Sequence, residues 1–306
     1  MSLEKIRTMF KALSSSKAWS LQLLGIKTSK CNGTSYIGRE ITLSPKGRLT
    51  KFVEEISDYY INESKGVLLS YSDVRDYDGS TVDKLIYRLS KSDKLIASEY
   101  ETLIDEISFP DVEINPLEFK AQAYVLKGKI NDDRPVILIS MHNPVTTLKH
   151  KFWSVNGSFE EIPNKVINLR TSIDVVIMDD TVYMLTLAGE NLFNMERAYR
   201  NICEAKVKEI EDLNIVNNFK AFSSAAKKGQ NPRKFVSFND AHLQKLKDPA
   251  NRIKMGGIFK IRMEEDLFDT SDSENSDKIV KLICNRGMLD PFDENPMEVD
   301  GSKIWK

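Results

Sequence analysis

The sequence predicts an α+β fold with mixed or antiparallel sheets and helices packed against them, in two loosely separated parts. Strand-like runs come in neighbouring pairs joined by short turns, and other segments repeat apolar residues at helical spacing. The chain of 306 residues is long enough for two domains that each bury a core. Because Pro110 and Pro116 interrupt the pattern, we predict an N-terminal α/β region over residues 1–115 and a second domain over residues 116–306.

Strand and helix patterns alternate in the N-terminal region. Residues 19–26 and 36–43 are apolar or alternating runs that predict a strand pair, and residues 67–71 predict a further strand. Apolar residues at helical spacing predict one helix over residues 45–65 and another over residues 92–107. The region therefore supplies strands as well as helices to the fold.

The second domain begins with two predicted hairpins. Residues 119–130 and 135–141 are strand-like runs whose polar connection is typical of a hairpin. A second hairpin over residues 173–186 turns at Asp179-Asp180, because aspartate tolerates the backbone angles of a tight turn. Apolar residues at helical spacing then predict a helix over residues 192–213.

Opposite charges divide the C-terminal part of the chain into two adjacent segments. The basic segment, residues 220–262, holds eleven Lys or Arg residues against two Asp. The acidic segment, residues 264–300, holds twelve Asp or Glu residues against three Lys or Arg. The whole-chain net charge of −1 conceals this asymmetry, which indicates a charged partner or mutual screening.

The basic segment predicts a surface for double-stranded DNA. Lysine and arginine side chains bind phosphates by releasing counterions and need no base contacts. Because no helix-turn-helix or zinc-finger pattern occurs, we expect binding to be independent of sequence. A solvated surface, or one neutralised by the acidic segment, is the alternative. The candidate residues are Lys227, Lys228, Arg233, Lys234, Lys245, Lys247, Arg252 and Lys254.

Two expectations concern the acidic segment. Residues 270–276, rich in serine and acidic residues, predict an exposed acidic loop, and residues 277–285 predict a closing helix that ends at Gly287. A regulatory hypothesis is that the segment covers the basic surface until DNA displaces it. Truncation after Asp269 would then tighten DNA binding.

The signatures of common enzyme classes do not occur in the sequence. It has no phosphate-binding loop, dinucleotide fingerprint, zinc-protease motif or nucleophile elbow, and its three histidines lack neighbours at metal-ligand spacing. Three scattered cysteines without a CxxC pair fit a reducing cytoplasm. No run approaches the roughly 18 apolar residues that cross a bilayer. We therefore predict a cytoplasmic protein that does not insert into the membrane, needs no cofactor or metal, and binds rather than catalyses.

One pattern keeps an enzymatic alternative open. Asp111, Glu118 and Lys120 occur in the order of a magnesium-dependent nuclease, in which two carboxylates hold Mg²⁺ and a lysine lies beside the attacking water. Glu118 and Lys120 would share one face of a strand, but only six residues separate Asp111 from Glu118. A further alternative is an oligomeric scaffold whose opposite charges pair without nucleic acid.

A second acidic group lies at the predicted hairpin of residues 173–186. Asp174 alternates with the apolar Ile173 and Val175, so we expect its carboxylate to face solvent. A cation site formed by Asp174 with Asp179-Asp180 is an alternative interpretation, although no further ligand is evident in the sequence.

Three groups of residues resemble one bacterial family. Residues 173–177 and 181–185 are similar to its hydrophobic-Asp-hydrophobic strand and its Tyr-containing return strand. Residues 190–193 lead into a charged helix, and residues 276–290 are similar to its closing helix and the segment that follows. Over roughly residues 120–306 the chain thus resembles the KwaB-like family of the Kiwa antiphage defence system.

The resemblance implies a function that composition alone does not give. It implies an antiviral (antiphage) defence protein that acts as a non-enzymatic DNA-binding subunit and forms a homodimer. It also implies a membrane-embedded partner subunit, which would recruit a cytoplasmic protein to the inner face of the membrane. The family's domain would occupy residues 116–306.

Overall fold

A computed structural model of the chain contains two compact units. The first unit comprises Met1–Tyr71 and Asp83–Met195, and the second comprises Ser72–Val82 and Glu196–Lys306. The structure describes residues 2–15, 18–29, 33–61, 70–71, 85–110, 120–131, 133–147, 152–155, 158–161, 165–238, 240–289 and 295–298.

An antiparallel sheet organises the first unit. The described strands of this unit are β1 (Ser20–Ser29), β2 (Gly33–Ile41), β3 (Ser70–Tyr71), β4 (Leu85–Ser90), β5 (Ala123–Ile130), β6 (Arg134–Met141), β7 (Val145–Thr147), β8 (Phe152–Val155), β9 (Ser158–Glu161), β10 (Lys165–Ile167), β11 (Val175–Met178) and β12 (Thr181–Met184). Eight of them form one sheet in the order β2-β1-β5-β6-β11-β12-β4-β3, in which only β3 and β4 are parallel. β7 pairs with β10, and β8 pairs with β9. Together with the helices, this sheet confirms the predicted α+β fold.

Strands from both sides of the predicted boundary at residues 115–116 share this sheet. β1 pairs with β2 on one side and with β5 on the other, where Leu21 lies opposite Leu126. β12 pairs in turn with β4. The predicted boundary therefore lies inside the first unit, and the two compact units divide after residue 195 and on either side of Ser72–Val82.

Helices bury apolar faces in the first unit. Its described helices are α1 (Ser2–Leu13), α2 (Arg48–Ile61), α3 (Ala97–Ser108) and α4 (Ala188–Leu192). The Phe10 ring of α1 stacks on the Tyr60 ring of α2 with centroids 4.0 Å apart, and Phe52 of α2 contacts Tyr124 of β5 edge-on at 5.8 Å. These aromatic contacts join α1, α2 and the sheet in one core, which also contains Leu138.

The hairpin of β11 and β12 confirms the turn predicted at Asp179-Asp180. Both aspartates have positive φ angles, 51° and 57°, as a type I′ turn requires. Lys5 pairs with the Asp179 carboxylate at 2.7 Å, and Lys91 pairs with the Asp180 carboxylate at 3.1 Å. The two aspartates therefore serve the turn and surface ion pairs.

The second unit is mainly helical. Its described elements are α5 (Met195–Glu211, which begins at the last residue of the first unit), α6 (Phe219–Ala226), α7 (Asn231–Lys234), α8 (Asp240–Lys245), α9 (Pro249–Phe259), β13 (Met263–Glu264), β14 (Leu267–Phe268), α10 (Ser273–Ile283), β15 (Gly287–Leu289) and β16 (Pro296–Glu298). The predicted helix over residues 192–213 corresponds to α5. Buried side chains from α5, α6, β14 and α10 form the core of this unit.

The acidic loop predicted over residues 270–276 is wrong in its second half. The Asp272 carboxylate accepts hydrogen bonds from the backbone N–H groups of Glu274 and Asn275, which caps α10 and starts this helix at Ser273. Asn275 is buried and accepts a hydrogen bond from the backbone N–H of Arg262 at 2.9 Å. Capping by Asp272 therefore turns a polar, low-complexity stretch into the first turn of the closing helix.

Candidate nucleic-acid interface

The basic segment folds as α6 to α9 with their connecting turns, and its cations fall into two groups. Lys234 and three arginines are buried, half-buried or paired with carboxylates. The other seven are lysines with exposed side chains, and none of them forms an ion pair with a described residue. These exposed lysines are Lys220, Lys227, Lys228, Lys245, Lys247, Lys254 and Lys260.

Arg252 lies in the interior of the second unit. Its side chain on α9 is 5% exposed, and Nη1 donates to the carbonyl oxygens of Leu246 at 2.9 Å and Lys247 at 2.8 Å. Nε donates to the carbonyl oxygen of Asp266 at 2.6 Å, and Nη2 pairs with the Asp266 carboxylate. The guanidinium thus fixes the turn between α8 and α9 and is not available to a phosphate.

Arg233 is also buried. The residue is 6% exposed, and its guanidinium carbon lies 5.1 Å from the centroid of the Tyr199 ring on α5. This cation–π geometry places the charge against an aromatic face within the unit. Arg233, like Arg252, therefore stabilises the fold and is removed from the exposed surface.

Lys234 is half-buried, and its charge acts on Asp277 of α10. Burial of Asp277 favours its neutral form, but hydrogen bonds from Lys281 and Asn231, with the positive charges of Lys281 and Lys234, lower the pKa of this carboxyl below its usual value. Part of the Lys234 charge is thus balanced inside the protein.

The acidic segment belongs to the core of the second unit. Ile279, Val280 and Ile283 of α10 are buried in the same cluster as Phe222 and Phe268. A segment that contributes so much of the core cannot leave without unfolding the unit, because burial of such side chains stabilises by about 1.5–3 kcal/mol each. The hypothesis of a displaceable acidic cover is therefore disfavoured.

The acidic segment neutralises particular arginines. Arg262 pairs with Asp272 and approaches Asp269 at 4.0 Å, while Asp266 pairs with Arg252. The neutralisation predicted as an alternative thus applies to two arginines of the basic segment. It leaves the exposed lysines without a carboxylate partner among the described residues.

Two of the exposed lysines, Lys228 and Lys245, line clefts with different electrostatic surroundings. A cleft of ≈ 540 Å³ between α6 and α10 is lined by Lys228 together with Asp272, Glu274 and Asp277. The carboxylates lower the positive potential there and would repel a phosphate. Lys228, with Lys227 beside it in the chain, therefore lies in the less positive of the two surroundings.

A second cleft lies between α8, α9, α10 and β15. It has a volume of ≈ 320 Å³, and Lys245 lines it together with His242 and a mostly apolar wall. No acidic side chain occurs among the described residues that line it. Lys247 follows Lys245 in the turn after α8, and Lys254 adjoins the wall residue Met255 on α9. Lys245 thus lines a cleft without a described acidic side chain, and Lys247 and Lys254 lie close to it in the chain.

One exposed face of α9 was missed by sequence reasoning. Ala250, Ile253, Lys254 and Gly257 are exposed at the spacing of a single helix face, and Ile253 is 54% exposed. A Cβ added at Gly257 would meet no atom within 4 Å, so no internal contact requires glycine there. The spacing was visible in the sequence, but without burial information it could not be distinguished from a core-facing stripe.

Asp174 is buried in the first unit, and the expectation that it faces solvent is wrong. Its carboxylate accepts hydrogen bonds from the backbone N–H of Met141 at 2.6 Å, from Arg170 Nη2 at 2.6 Å and from the Thr186 hydroxyl. The side chain is 3% exposed. These donors occupy the carboxylate, so Asp174 ties β6 to the hairpin of β11 and β12 rather than holding a cation.

His142 lies beside the same network. Its ring nitrogens are 3.0 Å from the Ser140 hydroxyl oxygen and 3.0 Å from the Asn168 carbonyl oxygen. Burial lowers its pKa from the usual value. Ser140 donates to the Ser172 carbonyl oxygen at 2.8 Å, so this serine and histidine pin a loop to the sheet.

The nuclease residues are only partly within the described structure. Lys120 is exposed, whereas Asp111 and Glu118 lie outside the described residues, so the nuclease alternative stays a prediction. Across the described ranges, no group of three or more His, Cys, Asp or Glu side chains could hold a metal ion. Within the same part of the chain, no helix is both long and apolar enough to span a bilayer.

Fold and surface together define an α+β protein with a sheet-based first unit and a helical, lysine-bearing second unit. The chain belongs to the KwaB-like family, because a family model described as Kiwa protein KwaB-like matches residues 129–288. This match runs from the end of β5 to β15, and it points to involvement in Kiwa antiphage defence. Neither the curated proteins nor the solved structures contain a match to the chain.

Proposed function

We propose that this protein is an antiphage defence protein that acts as a non-enzymatic, sequence-independent DNA-binding subunit. The observation that carries the proposal is the set of exposed lysines in the second unit, which have no carboxylate partner among the described residues. Membership of the KwaB-like family supplies the biological setting. A lysine surface of this kind releases counterions from DNA and gains affinity without reading bases.

The proposed contact residues are fewer than those predicted from the sequence. Lys245, Lys247 and Lys254 form the centre of the surface, because no acidic side chain lines the cleft beside them. Lys227 and Lys228 contribute less, since carboxylates share the cleft of Lys228. Burial removes Arg233 and Arg252 from the proposal, and Lys234 is left with a minor role near Asp277.

The chemistry of the surface supports binding without sequence preference. A lysine ammonium binds phosphate as a point charge, whereas base readout relies mainly on the planar groups of Arg, Asn or Gln in a groove. The exposed face of α9 offers Ala250, Ile253 and Gly257 beside Lys254, and none of these three can form bidentate bonds to a base. We therefore expect similar affinity for duplexes of unrelated sequence.

Fluorescence anisotropy with a labelled duplex across a salt series tests this proposal. Lys245, Lys247 and Lys254 are changed together to alanine, and the matched control changes three exposed lysines of the first unit, Lys46, Lys51 and Lys94. The dependence of log K on log salt should lose about 0.9 per phosphate contact, so the slope should fall by roughly 3 in the triple variant. The control should keep the parent affinity and slope.

Two results would contradict the proposal. Equal loss of affinity in the control would indicate a diffuse charge effect and not a surface centred on α8 and α9. Cleavage of the duplex in Mg²⁺ that stops in EDTA and is lost in Glu118→Ala would replace the binding subunit by the nuclease. Intact DNA under both conditions is expected.

The proposal includes a cytoplasmic homodimer that a membrane-embedded partner subunit recruits to the membrane. Light scattering after gel filtration measures the dimer directly, with and without DNA. A dimer that persists at high salt is expected. Dissociation by salt in a protein without DNA affinity would favour the charge-paired scaffold instead.

A further inference from the structure

The apolar cleft beside α9 has a wall that the described residues leave partly uncovered. Its volume of ≈ 320 Å³ is at the lower end of the range for ligand pockets, about 300–1,000 Å³. Met288 at its edge is 52% exposed, although methionine is usually buried. The apolar wall is formed mainly by Leu246, Met255, Ile258, Phe259, Leu282 and Met288.

The chain itself leads to this cleft. β16 pairs with β15 so that Glu298 lies opposite Gly287, which is one of the wall residues. A Cβ on Gly287 would lie 2.6 Å from the Phe259 ring, so the β15 backbone packs directly on another wall residue. Glu298, the last residue that the structure describes, therefore lies beside the rim of the cleft.

Residues 299–306 contain side chains that suit this cleft. Their sequence is Val-Asp-Gly-Ser-Lys-Ile-Trp-Lys, in which Ile304 and Trp305 are adjacent. Six or seven residues beyond Glu298 can span up to about 20–25 Å, more than enough to cross a cleft of this volume. A tryptophan can bury about 150–250 Å², and its indole N–H needs an acceptor. Asn251 on the cleft wall carries a side-chain oxygen of the required kind.

We propose that Ile304 and Trp305 of the same chain occupy this cleft and complete the second unit. The occupied cleft buries the apolar wall against α9. Lys245 and Lys254 stay at the rim, where their ammonium groups remain open to solvent. The inference is independent of DNA binding, because an apolar contact and a phosphate contact use different side chains.

Site-directed disulfide formation tests this contact. Lys306→Cys keeps both docking side chains, and it is combined with Met255→Cys on the cleft wall. The matched control combines Lys306→Cys with Ile253→Cys, which lies two residues away on α9, is more exposed and does not line the cleft. Cys31→Ser is included throughout. Cys203 and Cys284 remain, because both are buried, and burial raises the pKa of Cys203 to about 11 and also raises that of Cys284.

Docking predicts an intramolecular disulfide that forms at least about ten times faster in the Met255→Cys pair than in the Ile253→Cys pair. A chain that only samples the surface would react faster with the more exposed position. Adding Trp305→Ser to the Met255→Cys pair should abolish its faster disulfide formation relative to the Ile253→Cys pair. Equal rates in the two pairs, or a preference that survives Trp305→Ser, would overturn the proposal.

Two further measurements distinguish docking within one chain from docking by a second copy, and test the contact in the chain without added cysteines. A disulfide-linked dimer formed specifically through Met255→Cys would place a second copy's residues in the cleft, which contradicts the same-chain assignment. The fluorescence of the otherwise unchanged chain is also compared with that of Trp305→Phe. The difference spectrum should show the blue-shifted emission of a buried indole, and emission typical of an indole in water would equally overturn the proposal.

Discussion

At the scale of single residues, burial assigns different roles to cations that look alike in the sequence. Arg233 and Lys254 both belong to the basic segment, yet one lies against the Tyr199 ring and the other is exposed. Arginine suits interior positions because its planar group forms several directed hydrogen bonds, whereas the lysine ammonium is strongly hydrated. The proposed interface is thus a set of exposed lysines, and the buried arginines stabilise the fold beneath them.

Arg252→Lys separates the structural role from a role in DNA binding. A lysine keeps the charge but cannot reproduce the bonds to the carbonyl oxygens of Leu246, Lys247 and Asp266. Because hydrogen bonds to charged groups contribute about 1.5–3 kcal/mol each, we expect the free energy of unfolding to fall by roughly 2–3 kcal/mol. Denaturant unfolding measures this loss.

DNA binding provides the control for this variant. The salt dependence of binding should remain that of the parent protein at a temperature where the variant is folded. A stable Arg252→Lys protein with a weaker salt dependence would show that Arg252 contacts phosphate, contrary to its burial.

At the scale of elements, a turn or a helix end can be predicted from the sequence when the residues that determine it lie within the element itself. The turn at Asp179-Asp180 was predicted because the residues that tolerate positive φ lie within the turn itself. The start of α10 was missed because composition was given more weight than capping, although Asp272 has the residue type and position of an N-cap. The buried amide of Asn275 could not be predicted, since its partner at Arg262 comes from another element.

The N-cap of α10 gives a prediction at this scale. Asp272→Ala removes the acceptor for the N–H groups of Glu274 and Asn275 and also the partner of Arg262. We expect a loss of about 1–2 kcal/mol in the free energy of unfolding. Ser273→Ala is the matched control, because Ser273 is exposed at the first helical position and alanine favours helix.

Thermal and denaturant unfolding of both variants measure the effect of the cap. An equal stability of Asp272→Ala and Ser273→Ala would mean that the cap contributes nothing and that packing of Ile279 and Ile283 alone fixes the helix.

At the scale of the whole molecule, the order of the strands was beyond prediction from the sequence. Each strand pattern specifies one apolar face and leaves the neighbouring strand undetermined. The pairing of β1 with β5 joins strands separated by about a hundred residues, and β4 reaches the sheet through β12. The two prolines that predict a boundary at residues 115–116 therefore do not coincide with the division between the units, since the first unit includes Asp83–Met195.

The eight-stranded sheet belongs to the first unit and the proposed DNA-binding lysines belong to the second. A fragment of the first unit can therefore test whether DNA binding requires the second unit. Residues 1–195 contain the eight-stranded sheet and the cluster of Phe10, Tyr124 and Leu138, so the fragment has its own core. We expect it to unfold cooperatively when heated, as followed by circular dichroism. It should not bind duplex DNA at salt concentrations where the full chain does, because the proposed lysines lie in residues 196–306. A folded fragment that binds with the salt dependence of the full chain would move the DNA-binding surface to the first unit.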